Sequence, residues 1–326
     1  MSPPATIPAV MKAAAIGRFG PPSLIELRER EVPAPGPDEV LIRVDTAAVG
    51  SWDPSVRDGT WRRPGRTRFP LVLGTEGAGT VVARGSRVKR FPIGTRVYAY
   101  EFGNPKGGFY AEYAAVKASH VARVPRRLNQ LEAGAAAPIA LTALQGVTDK
   151  LQLRRGQTVL IFGASGAVGT LAVQFAKQRG ARVLATASGR PAARLVRRLG
   201  ADAVIDARRK GAAAELRALA PDGVDAVLAF AGGDELERCL DVVREGGRLA
   251  FPNGIEPAPR SRRSIRLLPY DVSATPRHFQ QLERSMAKAS IHVPIAAVYP
   301  LAKAARAHQR LAQGHVLGSI VLRVHA

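Results

Sequence analysis

Residues 159–169, Val-Leu-Ile-Phe-Gly-Ala-Ser-Gly-Ala-Val-Gly, carry the spacing that points most directly to chemistry. An apolar, β-branched run enters a turn built on Gly163, Gly166 and Gly169, and periodic apolar residues follow at Leu171, Val173, Phe175 and Ala176. Glycines at this spacing let the backbone turn tightly and approach an anion. The helix predicted over Val168–Arg179, stopped by Gly180, turns its positive end toward that anion. The segment predicts a dinucleotide pyrophosphate held by Gly163, Ala164, Ser165, Gly166, Ala167, Val168 and Gly169.

A second strand is expected at Arg182–Ala187. An NAD site usually carries Asp or Glu about 20 residues beyond the glycine turn, where it holds the ribose 2′-hydroxyl. That place falls here on Ser188, followed by Arg190 and Arg194. A hydroxyl and two guanidinium groups suit a dianionic 2′-phosphate, which a carboxylate would repel. The predicted cofactor is therefore NADPH rather than NADH.

The elements that must position this turn follow from the patterning on either side. Before residue 120, short strands alternate with Pro- and Gly-rich stretches: Lys12–Ile16, Val40–Ala47, Gly77–Arg84, Gly94–Tyr100 and Ala111–Val116. From about Asn129, helices and apolar strands alternate. Strands are expected at Ala203–Asp206, Val224–Phe230, Gly247–Phe251 and Ile265–Tyr270. Helices are expected at Arg190–Leu199, Ala212–Leu219, Asp234–Val243 and Arg277–Ala289. Two strand-like segments, Val293–Tyr299 and Gly318–Val324, close the chain and are expected to rejoin the first lobe. The fold class is α/β, a doubly wound parallel sheet beside a discontinuous, barrel-like, mainly-β lobe.

Composition narrows the class further. With 326 residues there is room for two domains. No apolar run approaches a membrane span, and the first residues lack the pattern of a secretion signal. The single cysteine, Cys239, fits a reducing cytoplasm; it falls in a predicted helix, where a buried, inert thiol is expected. The six histidines show no metal spacing. A net charge of +22 keeps nucleic acid open as a competing partner, although no RNA-binding signature accompanies it. Two basic clusters, Arg62, Arg63, Arg66 and Arg68, and Arg260, Arg262, Arg263 and Arg266, are either solvated loops or anchors for an anionic ligand tail.

Several ordered blocks resemble the zinc-independent quinone oxidoreductase branch of the medium-chain dehydrogenase/reductase superfamily. They include Leu73-Gly74-Thr75-Glu76-Gly77-Ala78-Gly79, Gly107–Tyr113, the Thr-Ala helix start at Leu141-Thr142-Ala143-Leu144, and Gly163–Gly169 with Gln174. Gly246-Gly247-Arg248 and Gly318-Ser319-Ile320-Val321-Leu322 complete them. The resemblance runs from Met11 to Val324. It implies a GroES-like substrate lobe over 1–124 and 291–326, and a Rossmann NADPH-binding domain over 125–290. A homodimer through an edge strand of the cofactor domain is also implied. Zinc relatives use a cysteine and a Gly-His-Glu histidine; here Thr75 replaces that histidine and Cys239 lies elsewhere, so no metal is expected.

The resemblance further implies hydride transfer from NADPH to a quinone or conjugated enone. Thr142 should touch the nicotinamide ribose or amide, Phe230 and Asn253 should line the cofactor cleft, and Ser319 stands where many relatives carry Lys. Relatives line the substrate pocket with an Asn and a Tyr; aligned on Asp53 and Arg57, those positions are Gly50 and Ser55. Ser51, Ser55 or water would then deliver the proton. Trp52 offers an apolar plate for a ring or a lobe-core role. Asp53 and Arg57 are read as a structural ion pair, and Tyr98 and Tyr100 as facing either the cleft or a strand surface. An enoyl-thioester reductase is the alternative enzyme, disfavoured by Ser55. An NADPH-binding sensor or RNA-binding protein with little turnover is the alternative from another class.

Overall fold

Six apolar segments form one parallel sheet in the order Ala203–Ile205, Arg182–Thr186, Thr158–Phe162, Val224–Ala229, Val243–Pro252 and Ile265–Tyr270. The chain starts in the middle, winds outward one way and returns to wind outward the other way. Its ligand crevice therefore lies at the carboxyl ends beside Thr158–Phe162, where the order reverses. Alternation along that strand shows why it is apolar throughout. Val159 and Ile161 face one buried layer, while Leu160 and Phe162 face the other. The computed structural model describes residues 6–61, 67–288 and 290–325.

The second lobe is a seven-stranded sheet in the order Ile295–Pro300, Ser319–Arg323, Glu39–Val49, Glu76–Arg84, Arg96–Tyr100 and Val121–Arg123, with Tyr113–Lys117 also pairing to Glu39–Val49. As the closing segments predicted, Ser319–Arg323 returns to pair antiparallel with Glu39–Val49. A three-stranded sheet of Glu26–Glu31, Val10–Ile16 and Leu71–Val72 flanks this lobe. Glu26–Glu31 reads Glu-Leu-Arg-Glu-Arg-Glu and gives no apolar alternation; it is a charged edge strand, held by backbone pairing to Val10–Ile16.

Helix Gln130–Gln145 joins the lobes. Asn129 and Glu132 close a reciprocal capping box at its start. Its small residues allow close approach: a Cβ at Gly134 would lie 2.3 Å from Thr46 Oγ1. One core cluster therefore runs from Ala48, Ala78 and Tyr98 through this helix to Val159 and Ile161. The Leu141–Leu144 block lies in the last turns of this helix, not at its start, because the capping box sets the start at Asn129. Tyr98 is fully buried in this core, edge-on to Phe279 at 5.6 Å, and does not face the cleft. Cys239 is buried on helix Asp234–Leu240, and burial pushes its thiol up to about 11. Among the described residues, no helix is long and apolar enough to cross a membrane.

Candidate active site

The three glycines of the turn are required for three different reasons. Gly163 has φ +78°, a region that L side chains avoid. Gly166 faces open space, with only Gly163 O at 3.6 Å from a would-be Cβ. At Gly169 a Cβ would stand 2.2 Å from Gly163 O and 2.7 Å from Ala164 Cα, so only glycine lets helix Ala167–Gln178 pack this close. Thr186 Oγ1 accepts from the Gly163 N–H at 2.9 Å and ties the turn to the neighbouring strand. A cradle open at Gly166 and facing the start of a helix fits a pyrophosphate.

From this turn a groove runs past Ser165, Thr186, Ser188 and Arg208 toward His315 and Leu317. The Ser188 hydroxyl donates to Asp206 Oδ1 at 3.3 Å, and Arg208 grips both oxygens of the same carboxylate. The Arg208 hydrogen bond is the main cause holding Asp206 down to about 2. The sequence reading missed this pair, which lies just past the third strand. Arg190 and Arg194 line an adjoining groove with Leu317 and Pro294. Ser319 lies outside both grooves: it is buried and its backbone N–H donates to Pro294 O. Its neighbour Gly318 instead reaches the turn, donating to Ser165 O at 3.1 Å.

Past Ala231 and Gly232, which both grooves share, the crevice opens into a cleft of ≈ 450 Å³ between the lobes. Gly50, Ser51, Trp52, Ser55, Thr142, Val168, Phe230 and Asn253 all line it, so one cavity gathers the predicted catalytic residues and three of those predicted for the cofactor. Thr142 O accepts from the Tyr270 hydroxyl at 3.0 Å, and Asn253 Nδ2 donates to Asp271 Oδ2 at 2.9 Å. Trp52 is 37% exposed, which removes the lobe-core role. It lies edge-on to Phe102 and close over Gly254, where a Cβ would be 2.4 Å from its ring.

Glu76 also lines the cleft, and sequence reasoning gave it no role. It is 2% exposed and sits opposite Tyr100 on the neighbouring strand. Its Oε2 accepts from the Thr75 hydroxyl, while no hydrogen bond from the described residues reaches Oε1. Burial, and then the charge of Asp53, raise its acidity constant well above the carboxylate range. A carboxylate placed among Gly77, Ala78 and Gly79 on an apolar strand was the available signal.

Asp53 and Arg57 do not form a direct ion pair. Asp53 Oδ2 accepts from the Gly50 N–H at 2.9 Å and the Tyr110 hydroxyl at 2.8 Å. Tyr110 meets His308 Nε2 at 3.2 Å, and Arg57 Nη1 meets His308 Nδ1 at 3.1 Å. The arginine must donate, so Nδ1 accepts and Nε2–H donates to the tyrosine oxygen. Burial, with the charge of Arg57, depresses His308 to about 3, and burial raises Asp53 to about 6. One turn of helix Asp53–Asp58 separates Asp53 from Arg57, and the buried ring pair fills the space between them.

The donor set does not fit zinc. Among the described residues, no group of three or more His, Cys, Asp or Glu is arranged to hold a metal. The residue before Glu76 is Thr75, and the one buried histidine close to the cleft has both ring nitrogens engaged. The basic clusters are also accounted for in part. Arg260 pairs with Asp234, and Arg262 pairs with Glu237 and Asp241. Arg62, Arg63 and Arg66 lie outside the described residues.

A glycine-turn crevice on a doubly wound sheet, opening into a cleft against a β lobe, defines a two-lobed nicotinamide-dinucleotide oxidoreductase. Residues 36–126 match the alcohol dehydrogenase GroES-like domain family, and residues 199–322 the zinc-binding dehydrogenase family. A quinone oxidoreductase of Pseudomonas aeruginosa is 32% identical over 93% of this chain and 97% of its own. Among solved structures, an NAD-dependent alcohol dehydrogenase has TM-score 0.90 at 31% identity, covering 97% of this chain and 100% of its own. A mycobacterial protein complexed with NADPH has TM-score 0.85 at 30% identity, covering 96% of this chain and 100% of its own. The chain belongs to the quinone oxidoreductases of the medium-chain dehydrogenase/reductase superfamily.

Proposed function

We propose that the chain is a zinc-free, NADPH-dependent reductase that passes hydride to a quinone or a conjugated enone. The observation that carries this reading is the inter-lobe cleft itself. It is continuous with the glycine-turn groove and partly apolar, and its donor set does not fit zinc. When bound, NADPH supplies the hydride. The glycine turn and the start of helix Ala167–Gln178 hold the pyrophosphate, while Ser188 and Arg208, with Arg190 and Arg194 beyond, meet the 2′-phosphate. Thr142, Val168 and Phe230 place the nicotinamide against the cleft. Trp52 gives a flat acceptor an apolar face to lie against.

Without a Lewis acid to stabilise an alkoxide, alcohol oxidation is poorly served. An acceptor that develops a delocalised oxyanion needs only a hydrogen-bond donor or a proton. The test is NADPH oxidation, followed at its absorbance band, with a benzoquinone, a phenanthrenequinone, an alkenone and a crotonyl thioester, and NADH in parallel. Turnover of quinone or enone with NADPH is expected. NADPH binding without reduction of any acceptor would refute the reading. The free edge of Ile265–Tyr270 offers the surface for a homodimer; light scattering should give twice the chain mass.

A further inference from the structure

Gly50 removes a wall. A Cβ built there would stand 3.2 Å from Glu76 Oε1, 3.8 Å from Oε2 and 3.9 Å from Asp53 Oδ2. Because position 50 has no side chain, the buried Glu76 carboxyl looks through this opening into the cleft that Gly50, Ser55 and Thr142 line. Its Oε1 has no partner, and only Thr75 engages Oε2. We propose that Glu76 is a catalytic residue, the acid that hands a proton to the reduced acceptor through the gap at Gly50. This deepens the reductase reading and rests on it.

The step balances as follows. The acceptor takes one hydride from the reduced nicotinamide dinucleotide, which is oxidised, and becomes an enolate or a hydroquinone monoanion. The Glu76 O–H bond breaks, its proton forms a new O–H bond on that oxyanion, and water in the cleft reprotonates the carboxylate. The groups around Glu76 keep the proton in place until then. Asp53 faces it from helix Asp53–Asp58, Tyr100 from the neighbouring strand, and Tyr110 from behind Asp53. Asp271 lies beyond Tyr100, and His308 and Arg57 lie behind Tyr110. Only Arg57 is cationic, and it is separated from Glu76 by the Tyr110–His308 pair. Burial and the Asp53 charge therefore prevail, and Glu76 stays protonated above the usual carboxylate range.

Glu76→Gln and Gly50→Ala test this, each assayed with NADPH across pH against an alkenone and an electron-poor benzoquinone. NADPH binding is read separately by fluorescence. The enolate oxygen is strongly basic and needs the acid, whereas the benzoquinone product is a weak base. Glu76→Gln should lower kcat about 100-fold with the alkenone and less than about tenfold with the benzoquinone. Wild-type alkenone turnover should fall as pH rises through the raised Glu76 titration, and the variant should lose that limb. Gly50→Ala keeps the acid and an unstrained backbone but screens the opening. It should show the same split between acceptors with NADPH affinity unchanged, and it serves if Glu76→Gln does not fold. Equal losses with both acceptors, or a high-pH limb that persists in Glu76→Gln, would overturn the role of Glu76 while leaving the reductase intact. A wild type that binds NADPH and reduces neither acceptor would overturn both.

Discussion

Asp206 and Glu76 mark opposite ends of one continuous crevice, and their carboxyl groups are held in opposite states. Asp206 lies near solvent, gripped by Arg208 and touched by Ser188, and stays ionised down to about pH 2. Glu76 is 2% exposed, faces Asp53 instead of a cation, and keeps its proton far above the ordinary range. The same functional group recognises at one end and reacts at the other. Solvent and the nearest charge decide which.

The comparison breaks most severely at the glycine turn between the two ends. Gly169→Val would drive its side chain into Gly163 O and Ala164 Cα. NADPH affinity should fall by roughly 100-fold or more, with stability lower by about 1–3 kcal/mol. Fluorescence titration and thermal melts would read both, and the Glu76 environment should survive in whatever remains folded.

The buried end is sharpened by pH. Glu76 holds its proton more tightly folded than unfolded, so stability should fall as pH rises from about 4.5 toward its raised folded value. Glu76→Gln should remove that slope. His308 runs the other way. Its folded value of about 3 lies below its ordinary 6.5, so the unfolded chain takes up the proton first and stability should fall as pH drops from 6.5 toward 3. His308→Ala should lessen the acid-side slope. It should also cost about 1–3 kcal/mol, since it leaves Tyr110 and Arg57 without their shared partner. Melts from pH 4 to 9 on the three proteins would separate these effects.

The smallest change belongs to the solvent end. Arg208→Ala should leave stability nearly unaltered while cutting the preference for NADPH over NADH about tenfold, the expected scale for losing one charge-assisted phosphate contact. Parallel kcat/KM measurements with the two cofactors check it, and an unchanged ratio would move the 2′-phosphate to Arg190 and Arg194.

The cofactor end was legible because its signals are local. Three glycines at fixed spacing between an apolar strand and an amphipathic helix specify a turn whatever lies elsewhere, and the apolar runs from Arg182 to Tyr270 follow from strands buried on both faces. The reactive end was not, because its properties depend on contacts across the chain. Glu76 acquires its state from Asp53, 23 residues away, and from burial under a second lobe. Arg57 reaches Asp53 only through Tyr110 and His308, which no spacing could have joined. Arg208 went unnoticed because Arg is so common here that one more carries little signal. Ser319 was placed with the cofactor by its neighbours, yet strand alternation turns it inward and leaves Gly318 at the groove.

The most direct measurement is a single turnover: NADPH-loaded protein mixed with one equivalent of benzoquinone, with the NADPH absorbance followed in time. The account predicts that the absorbance is lost stoichiometrically as hydroquinone forms. Tightly bound NADPH that persists unchanged in the presence of quinone and of alkenone would contradict it.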